Sequence, residues 1–257
     1  MQVALRAALA LLLLAAPSAH AVDAAALKQL LETIDDRQRN AGDYKALIYL
    51  EQKEKDRRDV VREAVVYRRD VDEKLLILLT RPKTEAGKGY LQVDKNFWSY
   101  TPSTGKWERR TVRERIAGTD SRRADFDQSR LAKDYIPTFE AEEKLGRFTA
   151  LRVQLTAREG MDVAYPLVKL WVDKETSNIL KRQDFALSGR LMRTTYSPKW
   201  QKLFSPSKKG DVWYAQELRI YDEVEKANST VMVVKAVDLD PLASNIFTKA
   251  WLESKSR

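Results

Sequence analysis

The residues that could do covalent chemistry in this chain are carboxylates, hydroxyls and lysines. Cysteine is absent from its 257 residues, and the one histidine, His20, ends an apolar leader. Without thiol or imidazole, Ser-His-Asp and Cys-His catalysis fall away. So do His- or Cys-built sites for zinc, copper, haem and iron–sulfur clusters. Paired-carboxylate hydrolysis, Ser-Lys chemistry and hard cations on oxygen ligands remain. None shows its motif: there is no G-x-S-x-G, no phosphate-binding loop, no G-x-G-x-x-G and no acidic loop at calcium-binding spacing. The 37 acidic residues are interleaved with 46 Lys and Arg, as in Glu51-Gln-Lys-Glu-Lys-Asp-Arg-Arg-Asp59. That mixture marks a solvated strand end and turn rather than a catalytic pair. The chain reads as a non-enzymatic protein that uses no cofactor or metal, so its candidate functional residues are apolar and aromatic.

The first 21 residues have a leader's grammar. Arg6 supplies the positive charge, residues 7–16 are ten apolar residues, and Ala19-His20-Ala21 offers small residues for cleavage. Ten residues of helix reach only ~15 Å, about half a bilayer core, so the stretch is expected to be removed and not to anchor the protein. The mature domain is then residues 22–257, exported and soluble, with no disulfide and no cysteine to carry lipid. Such a length can hold itself together by its core alone.

Residues 23–40 are expected to form an amphipathic helix. Asp23 can cap it, Leu27, Leu30, Leu31 and Ile34 form one stripe, and Asn40-Ala-Gly42 ends it. Almost everything after Asp43 reads as strand. Residues 44–52 and 60–69 suit a hairpin, and residues 74–80 are an apolar run that needs cover on both faces. In residues 89–110, aromatic and β-branched runs are separated by Asp94-Lys-Asn96 and Pro102-Ser-Thr-Gly105, the pattern of a meander. A three-residue loop ending in Gly105 at φ > 0 puts Trp98 and Tyr100 on one face and Phe97 with Trp107 on the other. Residues 113–138 break the rhythm, with a short helix expected at 127–135. Strands resume at 149–158, where Leu151, Val153 and Leu155 share a side. They continue at 167–173, 179–187, 191–196, 212–222 and 229–238, with 197–211 as the longest irregular stretch.

The expected fold is mainly β: a single curled antiparallel sheet of about eleven strands, an incomplete barrel whose concave face is covered by the helix and the small helical insert. A sheet this long must curl, and a wide barrel encloses a cavity.

Several segments, in order, resemble one family, the LolA-like outer-membrane lipoprotein-sorting proteins. They are Arg81-Pro-Lys83 with Gly87-Lys-Gly-Tyr-Leu91; Phe97-Trp-Ser-Tyr-Thr-Pro102; Asp125-Phe126 with Leu131 and Asp134-Tyr135; Leu170-Trp-Val-Asp173 with Ile179-Leu-Lys-Arg182; and Asn245-Ile-Phe-Thr248. Ala124 and Arg130 depart from that family's pattern. The resemblance implies a covered half-barrel with an apolar cavity for acyl chains.

Two functions are compatible with these residues. In the first, a soluble, monomeric periplasmic carrier binds the acyl chains of a lipoprotein or lipid, receiving them from an inner-membrane transporter and passing them to an outer-membrane acceptor. Its candidate cavity residues are Leu27, Leu30, Leu31, Ile34, Leu151, Val153 and Leu155, with Trp98 and Tyr100; each could equally fill a closed core. In the second, the fold is an accessory of an inner-membrane exporter. Its contact is Trp200, Leu203 and Phe204 with Lys208 and Lys209, residues that could equally be a satellite cluster under a loop. The formal net charge of +9 suits anionic head groups or envelope polymers; nucleic acid is not expected as a partner of an exported protein.

Overall fold

A computed structural model describes residues 23–94 and 96–256. The leader expected over residues 1–21 lies outside the described residues. Helix α1 (Ala24–Gln38) begins where Asp23 caps it, the carboxylate accepting from the N–H of Ala25 at 2.5 Å and of Ala26 at 2.9 Å. Its stripe buries Leu27, Leu31 and Ile34 and leaves Leu30 half-buried.

Thirteen strands follow in one antiparallel sheet. They are β1 (Asp43–Lys53), β2 (Val60–Arg69), β3 (Lys74–Arg81), β4 (Gly89–Val93), β5 (Asn96–Thr101), β6 (Lys106–Arg110), β7 (Tyr135–Leu145), β8 (Phe148–Ala157), β9 (Leu167–Asp173), β10 (Ile179–Phe185), β11 (Leu191–Ser205), β12 (Gly210–Asp222) and β13 (Ser229–Asp238). Neighbours in the sheet are neighbours in the chain everywhere except at the β1–β13 pair. The edges are therefore β6 and β7, consecutive strands that do not bond to each other. Residues 111–134, which join them, must cross the place where a barrel would close. This is why the insert lies over the concave face. Within it, helix α2 is one turn (Leu131–Asp134), shorter than the expected 127–135, and Tyr135 already begins a strand.

The sheet differs from expectation by one added strand, β7, and by the greater length of β11 and β12. In β7, Glu140, Glu142, Glu143 and Lys144 interrupt any apolar side, because an edge strand has little to bury. The stretch expected to be irregular, 197–211, is the far half of a long hairpin. There β11 and β12 pair out to Ser205 and Gly210, through a turn in which Lys209 takes φ +55°. Residues with solvent on both sides carry no alternation to read.

The β5–β6 register also differs from expectation. Thr101 faces Lys106, so the loop holds four residues, 102–105, with Gly105 at φ +65°. One residue more in a loop flips every later side chain, and Trp107 lies opposite Tyr100 with ring centroids 4.9 Å apart. Both belong to an outer-face cluster with Leu76, Leu78 and Leu91, roofed by Ile246, Phe247 and Leu252. Leu252 comes from the C-terminal helix α3 (Lys249–Lys255). A Cβ at Gly89 would meet Leu252 Cδ1 at 2.5 Å, so glycine there lets the tail close on the sheet. The alternate residues of β3, Leu75, Ile77 and Leu79, face the concave core, which explains its uninterrupted apolar run.

Candidate functional site

Between the insert and the concave face lies a cavity of about 210 Å³. Its apolar wall comes from alternate residues of three adjacent strands: Tyr44, Ala46 and Ile48 of β1, Val66 of β2, and Met232 and Val234 of β13. Leu218, Trp213 and Tyr214 of β12 and Trp200 of β11 extend it. The lid of the cavity is residues 122–131, and Phe126 drops from it into the apolar cluster with 4% exposure.

The opposite wall is charged, which is unusual for an inward sheet face. In the β10–β11 register Asp184 faces Arg193 and Arg182 faces Thr195. Asp184 is fully buried; one oxygen accepts from Arg182 Nε at 2.7 Å and the other from Arg193 Nε at 2.8 Å. Burial opposes ionisation of Asp184, but the two guanidinium groups outweigh it and hold its carboxyl below the usual range. Arg193 uses its other edge on the insert, donating from Nη1 and Nη2 to the two carboxylate oxygens of Asp125 at 2.6 and 3.1 Å. Burial disfavours that guanidinium charge too, yet Asp125 and Asp184 together raise its pKa well above the ordinary value. The Tyr165 ring lies 5.5 Å from the Arg193 guanidinium carbon.

Other polar contacts hold the insert along its length. Ala117 N–H donates to the Tyr90 hydroxyl at 2.8 Å, and Thr230 Oγ1 both accepts from Asp120 N–H at 3.0 Å and donates to its carboxylate at 2.9 Å. Gln128 donates to Asp70 O at 3.1 Å, and Arg123 to Gln92 at 2.5 Å. At its C-terminal end, Asp35 of α1 accepts from Ser129, Leu131 N–H and Ala132 N–H. Among the described residues of the insert, Ile116 and Phe126 are buried in the concave core cluster with Ala117 packed against it, and Leu131 joins the α1 cluster. Between these few apolar anchors, most of the insert's fastening is by polar contacts that water can replace.

The sequence-derived candidates are placed differently. Leu27, Leu31, Ile34, Val153 and Leu155 are brought together, with Leu30 and Leu151 partly buried against them, in a cluster that packs α1 on β8 and β9. These seven residues fill closed core and do not line the cavity. Trp98 and Tyr100 are on the outer face, Trp98 beneath Lys249 Nζ at 4.0 Å, so neither is a cavity residue. Trp200, considered above as a partner contact, lines the cavity and donates to Ile179 O at 3.1 Å. Leu203 and Phe204 are exposed on the hairpin, whereas Lys208 is tied to Asp36 and Arg39 of the α1 end; Lys209 forms the turn. Sequence reasoning missed Arg182, Asp184, Arg193, Thr195 and Tyr165. The available signal was charge at inward positions of strands that otherwise alternate.

Among the described residues no group of three or more His, Asp or Glu side chains could hold a metal ion, and no helix is long and apolar enough to cross a membrane. A family model described as an uncharacterized protein, DUF1329-like, matches residues 71–254, more than half of the chain. The chain belongs to that family. The DUF1329-like fold is LolA-like. It superposes on a DUF1329 family protein from Desulfovibrio piger with TM-score 0.77 at 18% identity, covering 89% of this chain and 98% of that one. A LolA superfamily protein from Nitrosomonas europaea gives 0.74 at 20% identity over 87% and 98%. An outer membrane lipoprotein-sorting protein domain from Vibrio parahaemolyticus gives 0.76 at 17% identity over 88% and 97%. No curated protein matches the chain. At these identities the likeness establishes the fold.

Proposed function

We propose that this DUF1329-like protein is a periplasmic carrier that takes acyl chains of a lipid or lipoprotein into the space between its concave face and the insert, without covalent chemistry. The observation that carries this reading is the cavity itself, apolar on the β1–β2–β13 side except at Arg68 and covered by a segment fastened largely through polar contacts. Burying a CH₂ is worth about 0.8 kcal/mol, so a C16 chain could contribute on the order of 10 kcal/mol before ordering costs. The cavity is partly open to solvent and, at about 210 Å³, is below the roughly 300–1,000 Å³ of sites that enclose drug-sized ligands. Outward movement of the insert and of Phe126 would supply the extra room that a whole acyl chain needs.

Export is supported by the leader pattern of residues 1–21, and transfer without catalysis by the absence of Cys and of His beyond His20. Native mass spectrometry of the protein purified from the periplasm tests the proposal. A stoichiometric lipid or lipopeptide is expected; protein that is empty and takes up no acyl chain on addition would refute it.

A second reading, an accessory of an inner-membrane exporter, is favoured by one observation: the end of the β11–β12 hairpin exposes Phe204 (62%) and Leu203 (38%). In that case Phe204→Ser weakens the partner contact and leaves acyl binding unchanged.

A further inference from the structure

The charged wall of the cavity has a definite charge count. Two guanidinium groups, Arg182 and Arg193, face two carboxylates, Asp184 and Asp125. Asp184 belongs to the sheet and stays wherever the sheet is. Asp125 belongs to the insert, and opening the cavity takes it away. One edge of the Arg193 guanidinium, only 3% exposed under the insert, then loses its carboxylate, while half-buried Arg182 keeps Asp184; an arriving anion can replace what Arg193 has lost. Among the described residues the carboxylates paired with Arg193 are Asp125 and Asp184, so without Asp125 it keeps Asp184, which it already shares with Arg182.

A further observation points to a ligand at the same spot. Thr195 stands directly opposite Arg182, lines the cavity, is 5% exposed, and its Oγ1 is buried with no hydrogen-bond partner. A buried hydroxyl without a partner is uncommon in a finished site. Beside it the chemistry of the wall changes from charged to apolar, and the insert already bridges the two halves. Asp125 pairs with Arg193, while the next residue, Phe126, sits in the apolar cluster.

Building on the carrier reading, we propose that Asp125-Phe126 is a built-in stand-in for the ligand, and that the ligand is an amphiphile with a single anionic group. Its head takes the place of the Asp125 carboxylate on Arg193, with Thr195 donating and Arg182 adjacent. Its chain follows the path of Phe126 along Ile48 and Met232. Insert and ligand compete for one guanidinium, so binding the anion is itself the opening step. Carboxylate and phosphate monoanions share this chemistry; a neutral alcohol leaves Arg193 short of a partner and a cationic amphiphile adds a like charge.

Calorimetric titration of the leaderless protein with laurate, dodecyl phosphate, dodecanol and dodecyltrimethylammonium, all below micelle-forming concentrations, tests the assignment. Both anions are expected to bind at least roughly tenfold more tightly than dodecanol, as loss of hydrogen bonds to a charged group implies. The stronger of the two identifies the head group. Asp125→Asn is expected to tighten laurate binding by weakening the internal competitor. Thr195→Val, nearly isosteric and fully folded by its thermal midpoint, is expected to weaken laurate and leave dodecanol unchanged. Equal binding of laurate and dodecanol would overturn the anion assignment while leaving the acyl carrier intact. Binding of neither would overturn both. No tightening in Asp125→Asn would overturn the stand-in.

Discussion

At the scale of single residues, the molecule separates core from cavity more sharply than residue types do. Leu31 is fully buried, and Leu31→Ala should cost about 2–5 kcal/mol, read as a lower denaturation midpoint at unchanged slope. Asp184 is a harsher case, because removing its charge strands two guanidinium groups. Asp184→Asn should cost about 3–5 kcal/mol by the same measurement. Its pH behaviour has a definite sign. A carboxyl held low stabilises the fold above its ordinary pKa of 3.8, and that contribution is lost as pH falls through the folded value. The Lys133 hydrogen bond lowers Glu73, and for Asp43 the Arg69 hydrogen bond overcomes burial, so both act in the same direction. Asp35, Asp120 and Asp127 are the opposite case: burial raises each, so each costs stability at neutral pH and returns it as pH drops through its folded value. The thermal midpoint should therefore hold or rise from about pH 7 to about pH 5 and fall below about pH 4. A steady decline beginning near neutrality would contradict this balance.

At the scale of elements, the proposed function makes the insert the part that moves and the exposed β11–β12 hairpin the alternative contact. Insert residues 113–130 are held mostly by polar contacts, whereas β3 is buried on both faces. Hydrogen exchange should find the insert amides opening well before those of β3, and an acyl ligand should change the former and not the latter. Elements were legible in the sequence where one side had something to bury. The α1 stripe, the β3 run and the Leu151–Val153–Leu155 alternation each have a buried partner surface. They were illegible where solvent lies on both sides, as at the far end of β11, or where an edge strand carries charge, as in β7. Trp107 shows a third limit. Its strand was anticipated, but its face depended on one loop residue, and composition does not count hydrogen bonds.

At the scale of the whole molecule, the proposed function rests on where the sheet fails to close. Chain order and sheet order agree except at β1–β13, so the unclosed edges are joined by a segment that, with α1, covers the concave face. The curled sheet and its helical covers could be anticipated from strand number and the two non-β stretches. The site could not, because its apolar half is indistinguishable by sequence from ordinary core, and its charged half reads as surface. Ile48, Val66 and Met232 become a cavity wall only because Phe126, rather than a further strand, fills the space above them.

The six tryptophans allow the central claim to be tested directly: Trp200 and Trp213 line the cavity, Trp98, Trp107 and Trp251 lie on the outer side near the C-terminal tail, and Trp171, beneath Lys181, faces away from the cavity and is kept in both variants. A brominated fatty acid quenches only the indoles its chain touches. The carrier account predicts quenching in the wild-type protein and in the W98F/W107F/W251F variant, and its loss in W200F/W213F. Quenching that survives in W200F/W213F and disappears in W98F/W107F/W251F would place the chain on the outer face and contradict the account.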